Sequence, residues 1–268
     1  MIADFHNDYL TDKDFRKILI SYNYGENAIV GAIFKKADYV YTKNLLNEFL
    51  KIKKRNLYFA FEDFSYEEDI FNLIHGLLYF NPIYVGLTWN YENNLAYGAY
   101  CDGKIKKRGK EVIKALKNRG IYLDVSHLCE KSFYDAFNYT DKIICSHTCF
   151  YDLNNHPRNL KYEQIKAIIS SGGIIGLTFY KPFLTSKQVA DVSDVYKHID
   201  YFVQNFGAEN LALGTDFYGC EEFPSGFSDY SFEDILKDYL LKKGYDIDDV
   251  ERILYRNLSE FLDKQKQF

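Results

Sequence analysis

Close to its start the chain reads Ala3-Asp4-Phe5-His6-Asn7-Asp8-Tyr9-Leu10, two acids, an imidazole and an amide set between apolar positions. A polar tail is the bland alternative, since terminal residues are often loosely held. If Ile2 to Asn7 is a strand, however, side chains alternate. His6 and Asp8 then share a face, Asp4 stands in line behind them, and Asn7 points the other way. Imidazole and carboxylate at that spacing can ligate a divalent metal, provided partners exist elsewhere. They recur in one kind of place: Glu62 follows "LYFAF", Trp89 and Asn90 follow "GLT", His127 ends "LDVSH", His147 ends "IICSH" and Asp216 follows "LALGT". No Lys or Arg sits at the neighbouring strand ends to balance Asp8 and Glu62, so a metal cation is the expected counter-charge. Three imidazoles and two carboxylates exceed the needs of one tetrahedral zinc and suit two ions sharing a carboxylate. His75 in "IFNLIHGLLYF" and His198 in "VYKHIDYF" fall inside helical patterns and read as surface or structural.

The elements that must position these groups follow from periodicity. Eight short apolar runs read as strands: Ile2–His6, Ala28–Phe34, Leu57–Phe61, Tyr84–Thr88, Ile121–Val125, Lys142–Cys145, Gly173–Thr178 and Leu211–Gly214. Between them lie amphipathic segments such as "KRGKEVIKALKNRG" and "SDVYKHIDYFVQNFG". Two more, Phe232–Lys243 and Ile247–Asp263, close the chain. Eight strands alternating with helices argue a parallel sheet, and eight is the number that closes an α/β (β/α)8 TIM barrel. An open doubly wound sheet is disfavoured, because no Gly-x-Gly-x-x-Gly follows the first strand. In such a barrel the C-terminal strand ends form one rim. Residues far apart in sequence would therefore converge there.

Composition bounds the partners. With 268 residues, 47% of them apolar, and no low-complexity linker, the chain reads as one domain spanning 1–268. A net charge of -5, with acids and bases interleaved, offers no basic stripe for nucleic acid and no polybasic membrane patch. No apolar run approaches the ~18 residues of a membrane span. The early polar cluster leaves no room for a signal peptide, and the polar end "FLDKQKQF" does not suit a lipid-anchor signal, so a cytoplasmic location is expected. Five cysteines without Cys-x-x-Cys suit a reducing compartment, and a Cys145/Cys149 zinc site is disfavoured.

Together, "DFHNDYL", the Glu after the third strand, "LTWNYENNLAYG", "RGIYLDVSH", "ICSHTCFYDLNNHPRNL", "GGIIGLTFY" and "LALGTDFYG" resemble the membrane dipeptidase (renal dipeptidase-like) family, in that family's order and over almost the whole chain. The resemblance implies an amidohydrolase-like barrel acting as a zinc-dependent metallo-dipeptidase. Two zinc ions would be held by His6, Asp8 and Glu62 and by Glu62, His127 and His147. Asp216 would be the catalytic acid/base and Arg158 would bind the free carboxylate of a dipeptide substrate, one with a C-terminal D-residue included. A hydroxide bridging the metals would be the nucleophile. Relatives often pair, which implies a homodimer. Trp89 stands where many relatives carry a substrate-contacting His, and the covering loops between His6 and Glu62 are shorter, implying a more open cleft. Thr178 stands where relatives often carry Asn, and no role is assigned to it. Two alternatives remain at this point. One is another amidohydrolase-type hydrolase, disfavoured because His-x-His is absent from the first strand. The other is a non-catalytic metal-binding barrel, disfavoured by the retention of Asp216.

Overall fold

The computed structural model describes residues 1–11, 28–33, 38–52 and 56–265. Eight strands, β1 (Ala3–Asn7), β2 (Ala28–Ile33), β3 (Leu57–Phe61), β4 (Tyr84–Gly86), β5 (Tyr122–Asp124), β6 (Ile143–Thr148), β7 (Ile175–Leu177) and β8 (Leu211–Leu213), follow one another around a closed barrel. Every neighbouring pair is parallel, including β8 against β1. All eight expected runs overlap a strand; β4, β5, β7 and β8 are shorter than their runs, whereas β1 and β6 continue past theirs to Asn7 and Thr148. Phe34 at the end of the second run lies outside the described residues. So do 12–27 and 34–37, where the resemblance implies shortened covering loops.

Alternation divides the strands between two apolar layers. Ala3, Val30, Ala60, Tyr84, Ile144 and Ala212 fill the barrel, whereas Ile29, Phe59, Val85, Leu123, Ile175 and Leu213 pack in a second core that includes the surrounding helices. The helix Val192–Phe206 shows how the outer layer forms. Asp191 caps it, its carboxylate accepting from the Ser193 amide at 2.8 Å. Val195, His198, Ile199 and Phe202 recur at helical spacing and are all buried. The closing helix Asn257–Gln265 plugs the barrel from below, where Phe261 meets the rings of Phe5 and Tyr122 at 5.5 and 4.7 Å between centroids. The segment around His75 is less regular than a single helix: Ile70–Asn72, a π turn at Leu73–Leu77 and a 3-10 turn at Leu78–Phe80. His75 itself is exposed beside Phe71.

Two strands depart from simple alternation, both at the rim. In β1 three steps from Asp4 to Asn7 match two from Ile29 to Gly31, and in β6 three steps from Cys145 to Thr148 match two from Ile175 to Leu177. Such bulges re-aim side chains. In β1 the bulge lets consecutive residues Phe5 and His6 both reach Tyr84. This corrects the placement of Asp4, which leaves the face of His6 and Asp8 and meets Asn7 instead: Asn7 Nδ2 donates to its Oδ2 at 3.2 Å.

Candidate metal centre

The ends of β1, β3, β5, β6 and β8 deliver their side chains to one point at the top of the barrel. His6 Nε2 lies 3.6 Å from Asp8 Oδ2, 4.0 Å from Glu62 Oε1 and 3.8 Å from Asp216 Oδ1. Glu62 Oε1 is 2.8 Å from His127 Nε2 and 3.8 Å from His147 Nε2. The two histidine nitrogens are 2.9 Å apart. All six residues are buried, although they come from positions 6 to 216. Donor atoms of His6, Glu62 and His147, and of His6, Asp8 and Asp216, each form a group within 4.8 Å. Asp216 thus stands among the same donors as Asp8.

The donor chemistry fits a cation. Asn90 Oδ1 receives Arg158 Nη1 at 3.3 Å, and arginine only donates. That oxygen is therefore the acceptor for His127 Nδ1 at 3.0 Å, and His127 Nε2 is left with a lone pair. This lone pair faces a carboxylate oxygen and another imidazole nitrogen, a set of acceptors that only a proton or metal ion can hold together. His6 Nε2 and Asp8 Oδ1, both buried, have no hydrogen-bond partner. An unpaired pair of this kind is costly in a protein interior unless a ligand completes it.

Electrostatics point the same way. Burial, and then the Asp8 charge, raise the Glu62 carboxyl well above its ordinary range. Burial pushes Asp216 up to about 7, with His6 opposing and Asp8 adding to it. His6 is drawn up to about 10: burial opposes protonation, but Asp8, Glu62 and Asp216 outweigh it. His127 and His147 are pushed well below the ordinary imidazole value by burial, together with Arg158 and His6. Burial is the shared cause: it holds Glu62, Asp216, His127 and His147 toward their neutral forms, whereas three acidic neighbours draw His6 the other way, a set of opposed shifts of the kind that gathers at functional sites.

The surroundings form a cavity of about 600 Å³ lined by these groups and by Trp89, Asn90, Tyr100, His156, Arg158, Tyr180, Phe183 and Tyr218. Arg158 is buried, its Nε donating to the Ser126 carbonyl at 2.8 Å and its guanidinium lying 5.1 Å over the Phe183 ring. Its Nη2 donates to His147 Nε2 at 3.0 Å. A cation therefore does reach the rim, from the loop after β6 rather than from a strand end. Trp89 is 40% exposed and forms a wall beside His127, ring centroids 6.1 Å apart. Asp216 has φ 64 and Tyr218 φ 66, a left-handed backbone uncommon for such residues and concentrated at functional loops. Asp4 does not touch an imidazole ring. Its carboxylate accepts from the Thr215 amide at 2.9 Å, the Thr215 hydroxyl at 2.8 Å and the Tyr230 hydroxyl at 2.5 Å, so it pins the turn that carries Asp216. His156 has no assigned part in the sequence reading, yet it lines the cavity and accepts from the Arg158 amide through Nδ1 at 3.2 Å. Its only sequence signal is its place two residues before Arg158. Thr178 is buried and its hydroxyl accepts from the Tyr180 amide at 3.2 Å.

A parallel eight-stranded barrel with imidazoles and carboxylates gathered on its C-terminal rim is a (β/α)8 barrel with the polar groups where such barrels carry their active sites. Residues 74–267 match the family model for membrane dipeptidase, peptidase family M19, and the chain belongs to that family. His6, Asp8 and Glu62 precede the matched span, and their grouping rests on the barrel geometry. The chain is 30% identical over 188 residues to an uncharacterized protein in the pqqA 5′ region of Klebsiella pneumoniae, covering 65% of this chain and 68% of that protein. It is 29% identical over 157 residues to an uncharacterized dipeptidase of Schizosaccharomyces pombe, covering 55% of this chain and 38% of the relative. Among solved structures, an amidohydrolase from Pseudomonas aeruginosa superposes with TM-score 0.87 at 20% identity, over 100% of this chain and 97% of that one. A metallo peptidase from Rhodobacter sphaeroides, liganded with a phosphinate mimic of the dipeptide L-Ala-D-Ala, gives 0.81 at 17% identity over 98% and 99%.

Proposed function

We propose that this protein is a dinuclear metallo-dipeptidase, with His6, Asp8 and Glu62 holding one divalent ion and Glu62, His127 and His147 the other. The observation that carries the reading is the contact set of Glu62 Oε1, which lies within 2.8 to 4.0 Å of the Nε2 atoms of all three histidines. Zinc suits this mixture of imidazole and carboxylate. A divalent pair held there supplies Lewis acidity toward a peptide carbonyl and makes water nucleophilic near neutral pH.

The chain's own residues do the rest. Arg158 presents its planar fork to the cavity and receives the terminal carboxylate of the substrate, which limits length to one residue beyond the scissile bond. Asp216, beside His6 and facing the same cavity, moves a proton to the leaving amine. Trp89 and Tyr100 wall the open side and exclude water from part of the substrate. The fold relative liganded with a dipeptide mimic ending in D-Ala supports including dipeptides with a C-terminal D-residue in the substrate class.

The test is hydrolysis of a panel of L-L and L-D dipeptides by the purified zinc-replete chain. Cleavage of free dipeptides is expected, with kcat reduced about 100- to 10,000-fold in Asp216→Asn, the span usual for loss of a general acid/base. Turnover by that variant at the unsubstituted rate would remove Asp216 from the mechanism. Cleavage of none of the panel would remove the dipeptidase reading.

A further inference from the structure

Beneath the imidazoles lies a buried carboxylate that the chemistry above does not use. Asp124 ends β5 and is 3% exposed. Its Oδ1 accepts from the Ser126 amide at 3.1 Å, the Ser126 hydroxyl at 2.6 Å and the Ser146 amide at 3.0 Å. Its Oδ2 accepts from the Ser146 hydroxyl at 2.6 Å. A carboxylate only accepts, so the single hydroxyl hydrogen of Ser146 is committed to Asp124. Toward His147 Nδ1, 2.9 Å away, Ser146 Oγ can then act only as acceptor. The ring proton of His147 must sit on Nδ1, leaving Nε2 with its lone pair. The opposite end of the ring agrees, because Arg158 Nη2, which only donates, lies 3.0 Å from that Nε2. The same serine oxygen is 3.3 Å from His6 Nδ1, whose nearer contact is the Tyr84 hydroxyl at 2.8 Å.

We infer that Asp124, acting through Ser146, is a positioning residue that fixes the tautomer of His147 and so keeps Nε2 unprotonated, with the lone pair that a metal ion would take. The inference rests on the reading of His147 as a ligand. Outer partners of metal-binding histidines commonly fix the ring in this way, here with a serine hydroxyl interposed between carboxylate and imidazole. A carboxamide in place of the carboxylate would reverse the chain of donors. In Asp124→Asn the three donors on Oδ1 keep an oxygen there, which turns the new NH2 toward Ser146. The serine must then send its hydrogen to His147 Nδ1, and the ring proton moves to Nε2, where the metal should bind. Packing hardly changes, yet the ligand is blocked.

The experiment titrates zinc into the metal-free full chain against a chelating dye and reads the histidine ring nitrogens of the same metal-free protein by 15N NMR. The wild type should show His147 protonated on Nδ1 and take up two zinc ions. Asp124→Asn should lose about 10- to 100-fold in affinity at one of them, the usual cost of a lost outer partner. Adding Ser146→Ala to Asp124→Asn should recover most of that loss, since it removes the misdirected hydrogen. A merely structural Asp124 would leave the double variant no tighter than the single one. Unchanged zinc affinity in Asp124→Asn, no recovery in the double variant, or a wild-type His147 protonated on Nε2 would each overturn the inference. Failure of the wild type to take up zinc would instead count against the proposed site, and the ring protonation would still decide whether Asp124 governs the tautomer.

Discussion

Arg158 is held from four sides before any ligand arrives, by the Ser126 carbonyl, by Asn90 Oδ1, by His147 Nε2 and by the Phe183 ring. Such a preset guanidinium loses little freedom on gripping a carboxylate. Arg158→Ala should therefore raise KM for free dipeptides about 10- to 100-fold, the equivalent of a charge-assisted hydrogen bond. The same variant should act on C-terminally amidated substrates about as well as the wild type does, which steady-state kinetics on matched pairs will check. His6, Asp8, Glu62, His127, His147 and Asp216 were legible in the sequence because ligand-type side chains closed apolar runs. Their neighbours were not. His156, Tyr180 and Tyr218 reach the cavity from loops whose path no local periodicity encodes. Asp124 and Ser146 carry no signal of their own in the sequence, because a hydrogen-bond chain between two strands leaves no trace in either strand alone.

Strands and turns convert these residues into a site. The β1 and β6 bulges turn His6 and the pair Ser146–His147 toward the barrel axis, and the turn after β8 folds back so that Gly219 comes against Asp8 and Asp216. A Cβ on Gly219 would collide with Asp8 Oδ2 and lie 2.5 Å from Asp216 Oδ1. Gly219→Ala should accordingly cut kcat/KM by about 100-fold, the scale of a displacement of roughly 1 Å at a catalytic group, while thermal denaturation stays near that of the wild type. A large loss of thermal stability with normal kinetics would contradict this. Strand number and order were readable from the apolar runs, since in a parallel barrel every strand is buried on both faces. The bulges were not readable. An added residue shifts the phase of a strand without altering its composition, and for that reason Asp4 was expected on the wrong face.

For the molecule as a whole, the barrel is a folded frame whose stability should respond to pH away from the candidate site. His198 is buried in the outer layer, with Phe150 donating its amide to Nδ1 at 3.2 Å and Nε2 donating to the Leu184 carbonyl at 2.9 Å. Burial lowers its pKa from 6.5 to about 4, against a smaller opposing effect of the Leu184 carbonyl. The folded state holds this ring neutral while the unfolded chain protonates it. Its contribution is therefore complete above about pH 6.5 and is lost as pH falls toward about 4, by up to about 3 kcal/mol at 1.36 kcal/mol per unit. In urea unfolding, His198→Gln should lie closer to the wild type at pH 4.5 than at pH 7, and equal separation at both would contradict it. Among the described residues no helix is long and apolar enough to cross a membrane, and the described cysteines are all free thiols. The frame's central purpose remains the gathering of three imidazoles and three carboxylates at one rim. Elemental analysis of the purified, zinc-replete chain tests that most directly. About two divalent ions per chain, falling when His147 or Glu62 is replaced by Ala, is the predicted result, and a folded chain that retains no metal would contradict it.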